Sequence, residues 1–413
     1  MSLKIRKPTP EQYMALMLCA VYGFNLFMLT FNALMRNIVG NTYYLDMLFV
    51  YFLYILILVH TILPCLRELR LQYIILLLGL PLITFFTCSN NDVLKTIMSN
   101  YFPYAILAFM CGASIYDFDI AWQILRKYAW FSIVMMLLDT ILFDVIGDHT
   151  LGYSALLPAL VFIIDMIYER KYNIMSILGL IISCLLLVQS DTAGAITALL
   201  ISTLVTIITR IEKFTPLKVI GLTLFAAIIV VLYNNLSYIV TFMSSMLSSS
   251  GINVKVLNEV ATSGISMDRF RESIFQYCFT YSKSHIFWGT GIGNDRVLIT
   301  QNTLVHDQSL VGNYPHNLFL EFTMQFGLII GIIVSLVLII KLVKLFVKEI
   351  DRDAKKLLLV LVGMGFWPLM FSSSYIENPS FFLLLGFLTT RLRNLQFNNY
   401  LDESLYEEQE IIR

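Results

Sequence analysis

The residues best placed to do chemistry lie late in the chain, and the most informative is a histidine. His316 stands in the run Tyr314-Pro315-His316-Asn317-Leu318-Phe319-Leu320-Glu321, directly before a long apolar stretch. Proline is favoured at a first helical position, which predicts His316 in the first turn of a helix. The positive end of a helix dipole disfavours imidazolium there and attracts an anion. A neutral histidine beside an anionic substrate suits a general base. Asn317 and Glu321 are four residues apart and share a helix face, with Glu321 about one turn deeper. A carboxylate in an apolar zone is costly unless it faces protein or water. Taken alone, a histidine at such a boundary is more often structural than catalytic.

Two further features precede it. In Ser266-Met267-Asp268-Arg269-Phe270-Arg271-Glu272 the serine can cap a helix and the aspartate suits its first turn. Phe270, Ile274, Cys278 and Tyr281 then share one face and Arg269, Glu272, Ser273 and Gln276 another, which predicts an amphipathic helix on the membrane or on a helix bundle. The arginines either lie on a solvated face or grip phosphate, which guanidinium does with bidentate geometry. Next comes Trp288-Gly289-Thr290-Gly291-Ile292-Gly293-Asn294. Its glycines either permit tight turns or present backbone N–H groups to phosphate. The GxGxG spacing, with no strand–helix frame, is not a dinucleotide fingerprint. Ser190-Asp191-Thr192 makes a short turn in which Asp191 caps the helix that follows.

The elements that position these residues are membrane helices. Of 413 residues 58% are hydrophobic and only 14% charged, against roughly 25% charged in a soluble domain, so too few remain to keep a surface in water. The net charge of zero says nothing about nucleic acid or acidic substrates; the placement of the charges says more. The six cysteines show no metal or redox spacing. Lys4, Arg6 and Lys7 precede an apolar run too long for a signal peptide, so the first segment should stay as a helix.

A helix needs about twenty apolar residues to cross the hydrocarbon. Such runs occur near 14–35, 44–64, 71–88, 100–116, 128–146, 151–168, 173–189, 192–209, 216–235, 317–340, 356–374 and 379–391. The predicted fold is an all-α polytopic membrane protein of about twelve transmembrane helices, with one large external loop between helices 9 and 10. If the N-terminus is cytoplasmic, only seven of the 28 basic residues fall outside: Arg36, Lys95, Lys255, Arg269, Arg271, Lys283 and Arg296. The predicted organisation is helices 1–9 over 1–235, an external loop with the amphipathic helix over 236–315, helices 10–12 over 316–393, and a polar cytoplasmic tail over 394–413. The loop keeps apolar and aromatic residues throughout and should be folded; the acidic tail should be solvated. Asp46, Asp139, Asp144 and Asp165 lie in or near the ends of spans, where they either form a proton path or reach solvent. No internal repeat of the kind that marks many transporters is visible.

The late features also form an ordered set. Ser263-Gly264 and Arg269 come first, then Phe287-Trp288-Gly289-Thr290-Gly291-Ile292-Gly293-Asn294, then His316-Asn317-Leu318-Phe319-Leu320-Glu321 running into Gly327-Leu328-Ile329-Ile330-Gly331. This pattern resembles the O-antigen ligase and polymerase family of bacterial membrane glycosyltransferases. The chain departs from it in two places. Ser190-Asp191-Thr192 stands where the family often has Ser-Arg, and no proline precedes the glycine turn.

The resemblance implies transfer of an oligosaccharide from an undecaprenyl-diphosphate carrier to a sugar hydroxyl, at the outer face of a bacterial cytoplasmic membrane. It implies that Arg269, assisted by Arg271, holds the diphosphate, and that His316 orients or deprotonates the acceptor. Asn317 or Glu321 would fix the imidazole or the sugar, and Gly289, Gly291, Gly293 and Asn294 would contribute to substrate binding. Within the family the polymerase reading is favoured, with the ligase, which moves finished glycan to lipid A–core, as its alternative. A chain-length regulator and a flippase are the partners a polymerase implies. No motif requires a metal or cofactor. From another class, a twelve-helix transporter would gather charges at mid-membrane, whereas this chain gathers its notable polar residues in the external loop and at the outer membrane surface.

Overall fold

The structure, a computed structural model, describes residues 9–38, 52, 55–60, 71–143, 149–169, 173–190, 192–210, 269–303 and 312–412. Every regular element among the described residues is helical. In chain order these are α1 (Pro10–Ile38), α2 (Leu71–Thr87), α3 (Asn91–Tyr101), a π-helical turn (Phe102–Leu107) and α4 (Ala108–Ala113). They continue with α5 (Phe118–Phe143), α6 (His149–Glu169), α7 (Ile174–Gln189), α8 (Ala193–Arg210), α9 (Arg269–Ser284) and α10 (Asn294–Asn302). Last come α11 (Leu318–Phe326), α12 (Leu328–Lys348), α13 (Arg352–Gly365), α14 (Trp367–Phe371), a 3-10 turn (Tyr375–Glu377) and α15 (Pro379–Ile412).

Four of these stretches are long and apolar enough to cross a membrane: Pro10–Leu34, Thr150–Glu169, Leu328–Lys348 and Arg352–Phe371. Leu78–Thr87, Ile174–Gln189 and Gly194–Arg210 are shorter apolar helices. The expected spans near 44–64 and 216–235, and most of the expected external loop, lie largely outside the described residues. Two expectations are corrected. The run 317–340 is two helices, because Gly327 at φ 90° breaks the backbone between α11 and α12. The span expected at 100–116 begins at Asn91 and passes through a π turn at Pro103, whose missing N–H cannot continue the α ladder. The polar tail after Arg393 continues the helical backbone of α15 to Ile412.

α1 packs on α5, α6 on α7 and α8, and α13 against both α6 and α15. The closest crossing joins α4 to α15. A Cβ on Gly112 would overlap the Leu383 carbonyl, and one on Gly386 the Phe109 carbonyl. Small residues that let backbones meet in this way hold helices together where lipid removes the hydrophobic drive. α12 buries one stripe (Gly331, Ser335, Leu338, Leu342, Leu345) and leaves Ile333, Leu336 and Ile340 exposed on the others. An apolar surface of that kind matches hydrocarbon rather than water.

At one end of the bundle the charges pair. Buried Glu349 is gripped by Arg391 through Nε at 2.6 Å and Nη2 at 2.8 Å, with the guanidinium over the Phe118 ring. Lys356 joins Glu169 at 3.1 Å and lies over Trp122. All of these bases belong to the set that charge counting assigns to the inside.

Candidate functional site

The turn between α14 and α15 is where the late elements converge. α14 ends in three successive carbonyls, which accept from two parts of the chain, α9 and the segment 314–317. Asn317 Nδ2 donates to Met370 O at 3.3 Å, Arg271 Nη1 to Phe371 O at 3.4 Å and Tyr314 hydroxyl to Ser372 O at 2.9 Å. α9 is thereby tied to the segment that carries His316. The amphipathic helix expected over 266–281 is α9, and it lies on the bundle: Ile274 and Cys278 pack with Ile299 and Met324. Arg271 is on its exposed side. Arg269 is its first residue, and its side chain is not among those described.

His316 is not in the first helical turn. Asn317 takes the N-cap of α11, its Oδ1 accepting from Phe319 N at 3.1 Å and Leu320 N at 3.2 Å. A side-chain cap of this strength fixes where the helix begins, so Pro315 and His316 stay outside it. His316 is the one non-glycine among the described residues with positive φ, 54°. That region is sparsely used and costs of order 1–3 kcal/mol, which surrounding structure must hold. The cap on one side and Tyr314, whose ring centroid is 4.3 Å from the imidazole, on the other supply the restraint.

Behind this surface lies a buried ion cluster that the pattern of the sequence did not reveal. Arg296 is 0% exposed. Its Nη1 is 3.5 Å from Asp295 Oδ2 and 3.8 Å from Glu321 Oε1, and its Nη2 is 3.2 Å from Glu377 Oε1. Nη2 also donates to Ser374 Oγ at 3.0 Å, and the guanidinium lies over Tyr314. Burial opposes its charge, but the three carboxylates outweigh burial and raise its pKa further above the ordinary arginine value. Glu321 is 0% exposed and accepts from Ser374 Oγ at 2.5 Å and Tyr375 N at 3.4 Å. Gln325 bridges Asp295 and Glu321 and receives the Tyr375 hydroxyl at 2.6 Å. The carboxylate expected to face protein or water faces Arg296. Burial drives the Tyr314 hydroxyl to hold its proton well beyond the usual phenol range.

The glycine turn is a junction in this arrangement. Thr290 N donates to Met324 O at 2.8 Å and Gly291 N to Gln325 O at 2.9 Å, which satisfies the last carbonyls of α11. A Cβ on Gly289 would strike the backbone of Met324 and Gln325; Gly291 and Gly293 lie against Thr87 and Cys88. Asn294 Oδ1 accepts from Ser89 N and Oγ, both at 2.8 Å, and its Nδ2 donates to Thr87 O. Gly289, Gly291, Gly293 and Asn294 therefore dock α10 and α11 onto the end of α2.

Residues 178–336 match the family model described as O-antigen ligase. The match supports assignment to the O-antigen ligase/polymerase family. No curated protein matches the chain closely enough to count as a relative.

The O-antigen ligase match takes in α8 to α11, most of α7 and the first part of α12, with Arg271, the glycine turn and His316 inside it. Together with the apolar helices it indicates a multi-pass membrane enzyme of the O-antigen ligase/polymerase type. Ser374 and Glu377 lie beyond the O-antigen ligase match and complete its ion cluster from a later segment. Their signal in the sequence is the polar interruption Ser372-Ser373-Ser374-Tyr375-Ile376-Glu377-Asn378-Pro379 between two apolar runs. Asp191, Asp46, Asp144 and His306 lie outside the described residues. Asp139 accepts from Thr30 at 2.8 Å, and Asp165 pairs with Arg126 at 3.5 Å, so neither joins this site.

Proposed function

We propose that this chain is a glycosyltransferase that polymerises undecaprenyl-diphosphate-linked repeat units into O-antigen, capsular or exopolysaccharide chains at the outer face of the cytoplasmic membrane. The observation that carries the reading is the convergence of Arg271, Tyr314 and Asn317 on the carbonyls of 370–372, inside and beside the family match. It sets a guanidinium and the strained His316 backbone around one helix end.

Each partner of the reaction then has a counterpart. The acceptor hydroxyl oxygen attacks C1 of the donor sugar, and the C1–O bond to the diphosphate breaks with its electron pair leaving on undecaprenyl diphosphate. His316 takes the hydroxyl proton and releases it to solvent. Arg271, with Arg269 beside it in sequence, neutralises the charge that develops on the diphosphate, where guanidinium is worth most. An apolar groove of about 380 Å³, lined by Phe322, Phe326, Val334, Phe382, Leu388 and Tyr375, offers hydrocarbon walls for the polyprenyl tail. It starts at the same turn that carries Glu377. The N- and C-termini are cytoplasmic in this reading, and the site end faces out. A chain-length regulator and a flippase would work beside it.

The ligase reading has one observation of its own, the description of the matched family. In both readings the donor is the same, so the chemistry is tested on the donor. Purified wild-type chain in vesicles, given carrier-linked repeat units, should form polymer and release undecaprenyl diphosphate. Arg271→Ala should lower that rate on the order of 10²–10³-fold, the range for losing one donor to a developing anion. Arg271→Lys should recover only part, because an ammonium lacks the bidentate fork. No release of undecaprenyl diphosphate by the wild type would overturn the reading; normal release by Arg271→Ala would transfer the role to Arg269.

A further inference from the structure

A second cavity, of about 210 Å³, is lined by Glu377 of the same turn whose Tyr375 lines the apolar groove. Tyr22 and Asn25 of α1, Tyr153 and Ser154 of α6, and Glu377 and Asn378 are among its lining residues. Hydroxyl, amide and carboxylate groups from three separate parts of the chain thus meet in one space inside a very apolar bundle. At roughly 30 Å³ for each water, the cavity holds about seven waters or one pyranose ring.

Its chemistry narrows the occupant. A hydrocarbon would strand the polar groups, and a burial without partners is what such groups avoid. A phosphate is disfavoured, because a carboxylate is among the lining residues and no lysine, arginine or histidine is. A hydroxyl-rich neutral molecule satisfies both conditions. Asn25 and Ser154 offer it an amide and a hydroxyl. Glu377 is held in place by Arg296 at 3.2 Å through one oxygen, and its side chain is 29% exposed. An ionised carboxylate has about four lone-pair sites, so acceptor capacity remains for a sugar hydroxyl.

We infer that this cavity binds the terminal sugar of the acceptor, with Glu377 and Asn25 taking its hydroxyls. The inference rests on the glycosyl-transfer reading and assigns the acceptor's side of it. The donor's first sugar adjoins a diphosphate, which a site with a carboxylate and no base repels; the acceptor's terminal sugar carries no such neighbour. The groove and the cavity then bring lipid and acceptor to one turn.

The test uses the full chain in vesicles, with carrier-linked repeat units as donor and, as acceptor, tagged repeat-unit oligosaccharide freed of diphosphate by mild acid. Asn25→Leu keeps the volume and removes the amide; Ser154→Ala removes one hydroxyl of the lining. Each should raise the KM for the free oligosaccharide by roughly three- to tenfold, the weight of one hydrogen bond, with donor KM unchanged. Saturation-transfer NMR of the free oligosaccharide on the chain should weaken in parallel, while melting temperature in detergent holds for Ser154→Ala. Unchanged acceptor KM and unchanged NMR transfer in both variants would overturn the assignment. A wild-type chain that binds the oligosaccharide through Ser154 and Asn25 but releases no undecaprenyl diphosphate would keep the sugar site and overturn the transfer reading alone.

Discussion

His316→Ala is expected to lower glycosyl transfer by roughly 10²–10⁴-fold, the usual contribution of a positioned acid–base group. The protein should remain in the membrane at its normal level. The structure gives the substitution two effects, and they can be separated. Alanine at φ 54° loses the imidazole and also keeps the backbone in a region it tolerates poorly. Asparagine tolerates that region better but has no basic nitrogen. His316→Asn should therefore match the melting temperature of the wild type and still lose transfer, with substrate binding by NMR retained. Transfer near the wild-type rate in His316→Asn would mean that the residue serves the turn and not the chemistry.

Arg296→Met should destabilise the fold by about 3–5 kcal/mol, the cost of stranding a buried charge. That is a large part of the 5–15 kcal/mol that holds a typical domain. Asp295 and Glu321 are both fully buried, and Arg296 is the cation that stands between them and Glu377. The loss is read as a lower melting temperature in detergent and less protein in the membrane. Adding Glu321→Gln to Arg296→Met should recover part of the loss, because one stranded carboxylate is removed; independent sites would instead add their costs. A melting temperature unchanged in Arg296→Met would show that the cluster carries no stability.

What the sequence made legible follows from how far apart the deciding residues are. The apolar runs at 71–88, 173–189 and 192–209 match Leu71–Thr87, Ile174–Gln189 and Ala193–Arg210, because run length and the breaks around it are local properties. α5 starts ten residues earlier than the expected 128, since Phe118–Lys127 is helical but too polar for a count of apolar residues to notice. Gly327 sits inside an unbroken apolar run, and only its φ reveals the break. The histidine's place was missed by one competing choice: proline favours a first helical position, but the Asn317 side chain captured the cap.

The site divides in the same way. His316, Asn317 and Glu321 lie within six residues, and a short-range pattern finds them. Arg296 reads as one more external base, because its partners at 321 and 377 are far along the chain. The glycines read as a turn, but which elements that turn and Asn294 join stayed hidden, because α2 and α11 are not neighbours in sequence. Chemistry that depends on long-range pairing was invisible until the helices were placed.

The most direct test of the central claim is a gel of surface polysaccharide from a strain lacking this protein, with carrier-linked glycans extracted separately. Complementation with the wild-type chain and with His316→Ala completes it. The account predicts that the long ladder is lost, that single repeat units remain on the acceptor or the carrier, and that only the wild type restores the ladder. Full-length polymer stranded on the lipid carrier would contradict polymerisation and show a ligase; an unchanged ladder would contradict glycosyl transfer by this chain altogether.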